Sequence, residues 1–251
     1  ASDVYKRQIL LIGDCCTDVY CYGNVTKISP EAPVPVYVEQ KKDIKLGMGH
    51  NVKTNLEKLG CNVIEHLSYE HMSRKIRYID TKTNQHIIRI DMDILSDPFK
   101  ISYIKNNIEY DAIVISDYNK GYITYEVIEQ LRNMYDIPIF IDSKKQDLSR
   151  FNGCFVKINE LEYNNRLTDT DELIVTLGSK GALYKNKLIS TEKVDTIDVC
   201  GAGDTFISAL VHSYLQGNEI ESAIKFANKA SSITVQHMGV YAPSLEEIYA
   251  V

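Results

Sequence analysis

The chain predicts an α/β protein: a three-layer α/β/α sandwich whose central sheet is mostly parallel, with a small β-sheet lid. Three observations predict this. Apolar strand-like runs alternate with helical patterns through the second half, as a doubly wound sheet requires. A short run, Ile9-Leu10-Leu11-Ile12, stops at Gly13-Asp14, the pattern of a strand buried on both faces. Segments 75–80 and 85–91 instead alternate apolar and polar residues around Thr81-Lys82-Thr83-Asn84. That alternation describes a hairpin with one wet face, which belongs in a separate lid.

Composition narrows the class. At 251 residues and 44% hydrophobic, the chain can bury one large core. A net charge of -6 argues against nucleic acid or an anionic membrane as the main partner, though not against a nucleotide substrate. No apolar run reaches transmembrane length and no signal-peptide pattern opens the chain, so a cytoplasmic protein is expected. The six cysteines (15, 16, 21, 61, 154 and 200) have no metal-binding spacing and fit reduced thiols in the cytoplasm. Residues 1–8 lack a starting Met and useful periodicity, and they are set aside as a non-native leader. Residues 9–251 then form a single domain, with lid segments at about 30–46 and 74–93.

The elements follow in order. Asp14 and Asp18 come just past the first strand, where ligands bind in open α/β sheets. Pro30, Pro33 and Pro35 forbid a helix or a central strand, so 30–35 is extended, and a strand follows through Val36 and Val38. Gly47-Met48-Gly49-His50-Asn51 leads into a helix ending at Leu59-Gly60. A strand at 112–116 ends in Asp117-Tyr118-Asn119-Lys120-Gly121, and a helix starts after Thr124. The strand at 138–141 ends in Asp142-Ser143-Lys144-Lys145. The strand at 155–158 ends in Asn159-Glu160-Leu161-Glu162, and the one at 173–177 closes on Gly178-Ser179-Lys180-Gly181. A hairpin turns at Asn186-Lys187, a long helix covers 219–236, and Ser244 with Glu247 makes a capping box for the last helix.

The stretch that organises the rest is Asp198-Val199-Cys200-Gly201-Ala202-Gly203-Asp204, followed by the apolar helical pattern of Phe206, Ala209 and Leu210. Small residues let the backbone approach a ligand, and the first-turn N–H groups and helix dipole favour an anion such as a phosphoryl group. Asp204 stands where it can take a proton from an attacking alcohol. The string is neither a dinucleotide fingerprint, since Phe206 occupies the third glycine's place, nor a Walker loop.

This string resembles the Asp-Thr-x-Gly-Ala-Gly-Asp signature of the PfkB (ribokinase-like) carbohydrate kinases, with Val199 for the usual Thr. Ser29-Pro30-Glu31-Ala32-Pro33-Val34-Pro35-Val36 and the segment from Asn84 to Asp91 resemble the family's D-glycero-β-D-manno-heptose-7-phosphate kinase branch. The resemblance runs from about Ile9 to the C-terminus, with shortened segments between Leu67 and Ser73 and before Leu173. It implies a ribokinase-like fold and transfer of a phosphoryl group from ATP, with Mg2+, to a hydroxyl of a sugar or sugar phosphate, heptose 7-phosphate first. Asp204 would be the base, and the N–H groups of Gly201, Ala202 and Gly203 the anion hole. Asp14, Asp18, Gly47, Asn51, Asp117 and Lys120 would face the sugar; Lys144, Asn159, Thr176, Gly178, Gly181 and Asn228 would face ATP. Asn159 and Glu162 would hold the magnesium through water. The resemblance also implies a homodimer formed through the lid. Met48 and His50 depart from the family's Gly-Gly-Ala-Ala-Asn. Another sugar or nucleoside kinase, or a binding protein that has lost catalysis, are the alternatives.

Overall fold

A computed structural model describes residues 6–105 and 107–250. The chain begins with β1 (Gln8–Gly13), whose residues Ile9 to Ile12 are wholly buried. Two long lid strands follow, β2 (Cys15–Ile28) and β3 (Pro35–Met48), and then α1 (Gly49–Lys58) and β4 (Asn62–Leu67). The lid is completed by β5 (Ser73–Asp80) and β6 (His86–Met92). Next come β7 (Ala112–Asp117), α2 (Tyr125–Met134), β8 (Ile139–Ser143), β9 (Phe155–Asn159), α3 (Glu160–Asn165) and β10 (Glu172–Thr176). The chain ends through β11 (Ala182–Tyr184), β12 (Lys187–Ile189), α4 (Ala202–Leu215), α5 (Ile220–Thr234) and α6 (Leu245–Ala250).

The large sheet runs β12-β11-β10-β9-β8-β7-β1-β4, parallel except for the β11–β12 hairpin at one edge. The strand period of two divides its side chains between two cores. Ile9, Leu11, Ala112, Val114 and Phe140 pack toward α1, α4, α5 and α6. Leu10, Ile12, Ile113, Ile115, Ile139 and Ile141 pack toward α2. Such strands read as continuous apolar runs because helices cover both faces. Helix α4 is buried from Asp204 through Ser213, wedged between α1 and α5. Its polar side chains are tied inward, Thr205 Oγ1 to Asn55 Oδ1 (3.0 Å) and Ser208 Oγ to the Val52 carbonyl (3.2 Å).

The structure corrects three expectations. First, the domain begins before Ile9: Gln8 opens β1, the Arg7 carbonyl accepts from Asn62 N (2.8 Å), and Arg7 pairs with Asp111. Residues 1–5 of the expected leader lie outside the described residues. Second, a strand outside the expected elements follows β1. The chain passes at once from β1 into β2, so Asp14 is fully buried and Asp18 lies within a strand. Third, the lid is larger than segments 30–46 and 74–93. Its order is β3-β2-β5-β6, with β2 central and parallel to β5, and the prolines at 30–33 make the turn between β2 and β3.

Candidate active site

Asp204 is the third residue of α4, and its carboxylate is buried. Two donors hold its two oxygens: Asn51 Nδ2 reaches Oδ2 at 3.2 Å and Tyr118 Oη reaches Oδ1 at 3.1 Å. Burial and the nearby Asp142 carboxylate push the Asp204 carboxyl up to about 6, against the lowering effect of those bonds and of Lys157. The group is therefore ionised at pH 7 and yet an appreciably better proton acceptor than a free aspartate.

Gly201 caps α4 in the left-handed region (φ 79), a conformation that side chains rarely adopt. Among the described residues the N–H groups of Gly201 and Gly203 have no protein acceptor, whereas Ala202 N donates to the Val199 carbonyl at 3.3 Å. The expected three-amide hole is thus open at Gly201 and Gly203 and partly closed at Ala202. A Cβ on Gly203 would stand 2.7 Å from Lys157 Nζ, so the glycine is what lets that ammonium reach the helix start. Lys157 is itself buried and paired with Asp142 Oδ2 (2.9 Å).

A cleft of about 440 Å³ opens here, lined by Tyr118, Lys144, Lys157, Asn159, Gly203 and Asp204 among others. Thr176 and Gly178 line it too, and they also line a neighbouring, more apolar cavity of about 200 Å³ with Gly181, Phe206, Asn228 and Val235. Every residue expected to face ATP therefore borders one of these two adjoining spaces. Asn228 Nδ2 is held by the Ile189 carbonyl (2.9 Å), and a Cβ on Gly181 would stand 2.2 Å from that same carbonyl oxygen.

Residues expected to face the sugar divide into two groups. Asn51 meets Asp204, and Gly47 packs on Asp18, whose Oδ2 would be 2.1 Å from a Cβ there. Asp18 is paired with Arg77 of β5, both largely buried. Asp14, Asp117 and Lys120 instead serve the scaffold. Asp14 Oδ2 accepts from Tyr118 N (2.7 Å) and Lys120 N (3.4 Å). Asp117 is held by Ser143 Oγ (2.7 Å) and Lys145 Nζ (2.9 Å), and Lys120 Nζ pairs with Asp93 (2.7 Å). Met48 occupies φ 56, where a glycine would sit without strain, and its side chain is buried.

Asn159 and Glu162 form a reciprocal capping box on α3, each accepting the other's backbone N–H at 2.8 Å. The remaining Glu162 oxygen takes Lys144 Nζ. Among the described residues no cluster of three or more metal-ligating side chains forms. This donor set fits magnesium that arrives with the nucleotide and keeps its waters, rather than a resident ion.

Sequence reasoning passed over Tyr118, Lys157 and Arg77 as site residues. Lys157 has one usable signal, a lysine in the apolar run just ahead of Asn159. Tyr118 stands in Ser116-Asp117-Tyr118-Asn119-Lys120-Gly121, which resembles the family's Ser-Asp-Tyr-x-Lys-Gly segment. Arg77 has none beyond proximity to expected residues.

A mostly parallel sheet, a second small sheet and a helix start with open amides beside a buried acid come together here. Residues 158–248 match the pfkB family carbohydrate kinase model. It is 32% identical to the bifunctional protein HldE of Helicobacter acinonychis (strain Sheeba), over 96% of this chain and 65% of the relative. It is 30% identical to the bifunctional protein HldE of a Nitratiruptor species, over 97% and 64%. The chain thus spans just under two thirds of these relatives' length. The first alignment runs over 304 positions, more than the chain's 251 residues, so the relative carries insertions the chain lacks. Among solved structures, phosphofructokinase-2 from Escherichia coli superposes with a TM-score of 0.73 at 17% identity, covering 98% of each chain. Ribokinase from Thermotoga maritima gives 0.65 at 18%, covering 96% of this chain and 98% of the other. The fold is ribokinase-like.

Proposed function

We propose that this chain transfers the γ-phosphoryl group of ATP to a hydroxyl of a sugar phosphate, with heptose 7-phosphate as the first candidate. The observation that carries the proposal is Asp204, buried at the start of α4, with both oxygens held and Lys157 beside it, at the edge of the cleft lined by the nucleotide-side residues. In this reaction the incoming hydroxyl gives its proton to Asp204 as its oxygen attacks phosphorus. The amides of Gly201 and Gly203, the dipole of α4 and the Lys157 ammonium stabilise charge on the transferring group. Magnesium would neutralise the nucleotide phosphates, held through its own waters by Asn159 and Glu162. Closure of the lid over the site would keep out water, the competing nucleophile.

A phosphorylated sugar is favoured over a neutral one by the lid. Strand register places Lys45 and Lys75 on either side of Asp18, and Arg77 beside Tyr20, all on one face, with Arg89 opposite Arg77. That face looks toward the cleft, since Lys75 Nζ lies 5.3 Å from the centre of the Tyr118 ring. Asp43 and Asp91 share that face, and Arg77 and Arg89 are paired with Asp18 and Asp91, so Lys45 and Lys75 are the cations there that suit a second phosphate. The heptose assignment draws on the Ser-Pro-Glu-Ala-Pro-Val-Pro-Val segment and on the similarity to HldE. All six cysteines are free, as a cytoplasmic kinase would keep them.

We also propose a homodimer through the opposite lid face, where Ile44, Ile88, Ile90 and Met92 stand exposed on the strands that flank β2 and β5.

ADP release with ATP and magnesium, across D-glycero-D-manno-heptose 7-phosphate, ribose, fructose 6-phosphate and adenosine, tests the substrate. Turnover confined to the heptose phosphate is expected. Turnover on ribose or adenosine, with none on either sugar phosphate, would refute the role given to Lys45 and Lys75.

A further inference from the structure

One aromatic residue outside the expected site residues links the base to the lid and to the nucleotide side. Tyr118 follows β7 directly, and its backbone N–H is anchored on Asp14 Oδ2 at 2.7 Å. Asp14 is fully buried and also takes Lys120 N, so a buried carboxylate clamps the turn that carries the tyrosine. From that turn the phenol hydroxyl donates to Asp204 Oδ1 at 3.1 Å. The ring lies between two ammonium groups, Lys75 Nζ of the lid at 5.3 Å and Lys144 Nζ of the nucleotide side at 5.0 Å from its centre.

We propose that Tyr118 is a positioning residue for the base: its phenol holds one oxygen of Asp204 while Asn51 holds the other, and Asp14 fixes the turn that delivers the phenol. With both oxygens tethered, the carboxylate cannot rotate, and its remaining lone pairs face the cleft where the attacking hydroxyl must sit. Burial and the Asp204 charge keep the phenol protonated far above neutral pH, so its one proton stays available to donate to Asp204. This assigns Asp14 to the support of the base, in place of contact with the sugar. The charged and titratable groups around Asp204 are Asp142, Lys157, Lys144 and Tyr118, with Asn51 as the neutral donor.

The proposal rests on the kinase function inferred above, so its test includes a readout that needs no turnover. Tyr118→Phe keeps the ring and its cation contacts and removes only the hydroxyl. In protein carrying 13C-labelled aspartate carboxyls, the Asp204 titration is expected to move upward by about one pH unit in Tyr118→Phe, because a donor to the charged form is lost. In turnover, kcat is expected to fall about tenfold with the acid limb displaced the same way, and ATP affinity to stay within about twofold. An Asp204 titration that does not move overturns the proposal, whatever the protein's substrate proves to be. A wild-type protein that shows the titration difference but turns over no sugar refutes the kinase function and leaves the Tyr118–Asp204 link standing.

Discussion

At the residue scale the site turns on how a buried carboxylate is kept ionised. Asp204 loses solvation on burial and faces Asp142, and both effects favour its neutral form. Asn51, Lys157 and Tyr118 oppose them, and the balance lies at about 6. The sign follows directly. A base must be deprotonated, so kcat is expected to be constant above about pH 7 and to fall as pH drops through 6, in a pH–rate profile. Stability runs the other way. The folded carboxyl binds its proton more tightly than the unfolded chain does, so ionised Asp204 costs stability above pH 6, a cost that fades as pH falls toward 4. Thermal unfolding of Asp204→Asn should therefore show a gain at pH 8 of about 2 kcal/mol over wild type, shrinking toward pH 4. Asp204 was legible in the sequence because glycine, alanine and acid stand consecutively at a helix start. That Tyr118 and Lys157 meet Asp204 was not, because the sheet brings them there from the end of β7 and the middle of β9, far away in the chain.

At the element scale, glycines set how closely secondary structures approach. Gly203 admits Lys157, and Gly47 admits Asp18. Gly203→Ala is expected to displace Lys157 and lower kcat at least tenfold, with the fold kept by far-UV circular dichroism. Wild-type kcat in that variant would remove Lys157 and the Gly203 amide from the transition state. The helices were readable from their caps: Thr124 starts α2 through its side chain to Val127 N, and Ser244 with Glu247 starts α6. Strand β2 was not readable. Its residues alternate between Cys16, Asp18 and Tyr20 on the face toward the cleft and Thr17, Val19 and Cys21 on the other, so both faces mix polar and apolar side chains. That mixture, straight after Gly13-Asp14, looks like a loop at a strand end.

At the scale of the whole molecule, the eight-stranded sheet carries the nucleotide-side residues and the four-stranded sheet forms the lid. The larger sheet was legible except at its edge strand β4, whose Asn62, Glu65 and His66 break the apolar run. Strand β1 and the strands from β7 to β12 fall on apolar stretches bounded by turn residues. The lid was legible only as its outer hairpins, because its parallel β2–β5 pair joins strands 45 residues and more apart in the chain. Its outer face pairs Val19 with Ile44 and Ile76 with Ile90, leaving both of the latter isoleucines exposed. Light scattering is expected to give twice the chain's mass for the wild type and a single chain's mass for Ile90→Lys. A wild-type monomer at micromolar concentration would remove the lid-mediated dimer.

The central claim is phosphoryl transfer with Asp204 as the base, and it is tested most directly by comparing wild type with Asp204→Asn in paired assays. One assay follows ADP formation from ATP, magnesium and the heptose phosphate, and the other follows ATP binding by calorimetry. The expected result is a loss of turnover of about a thousandfold or more in the variant, with ATP bound as tightly as by wild type. Equal rates of ADP formation in the two proteins would contradict the account.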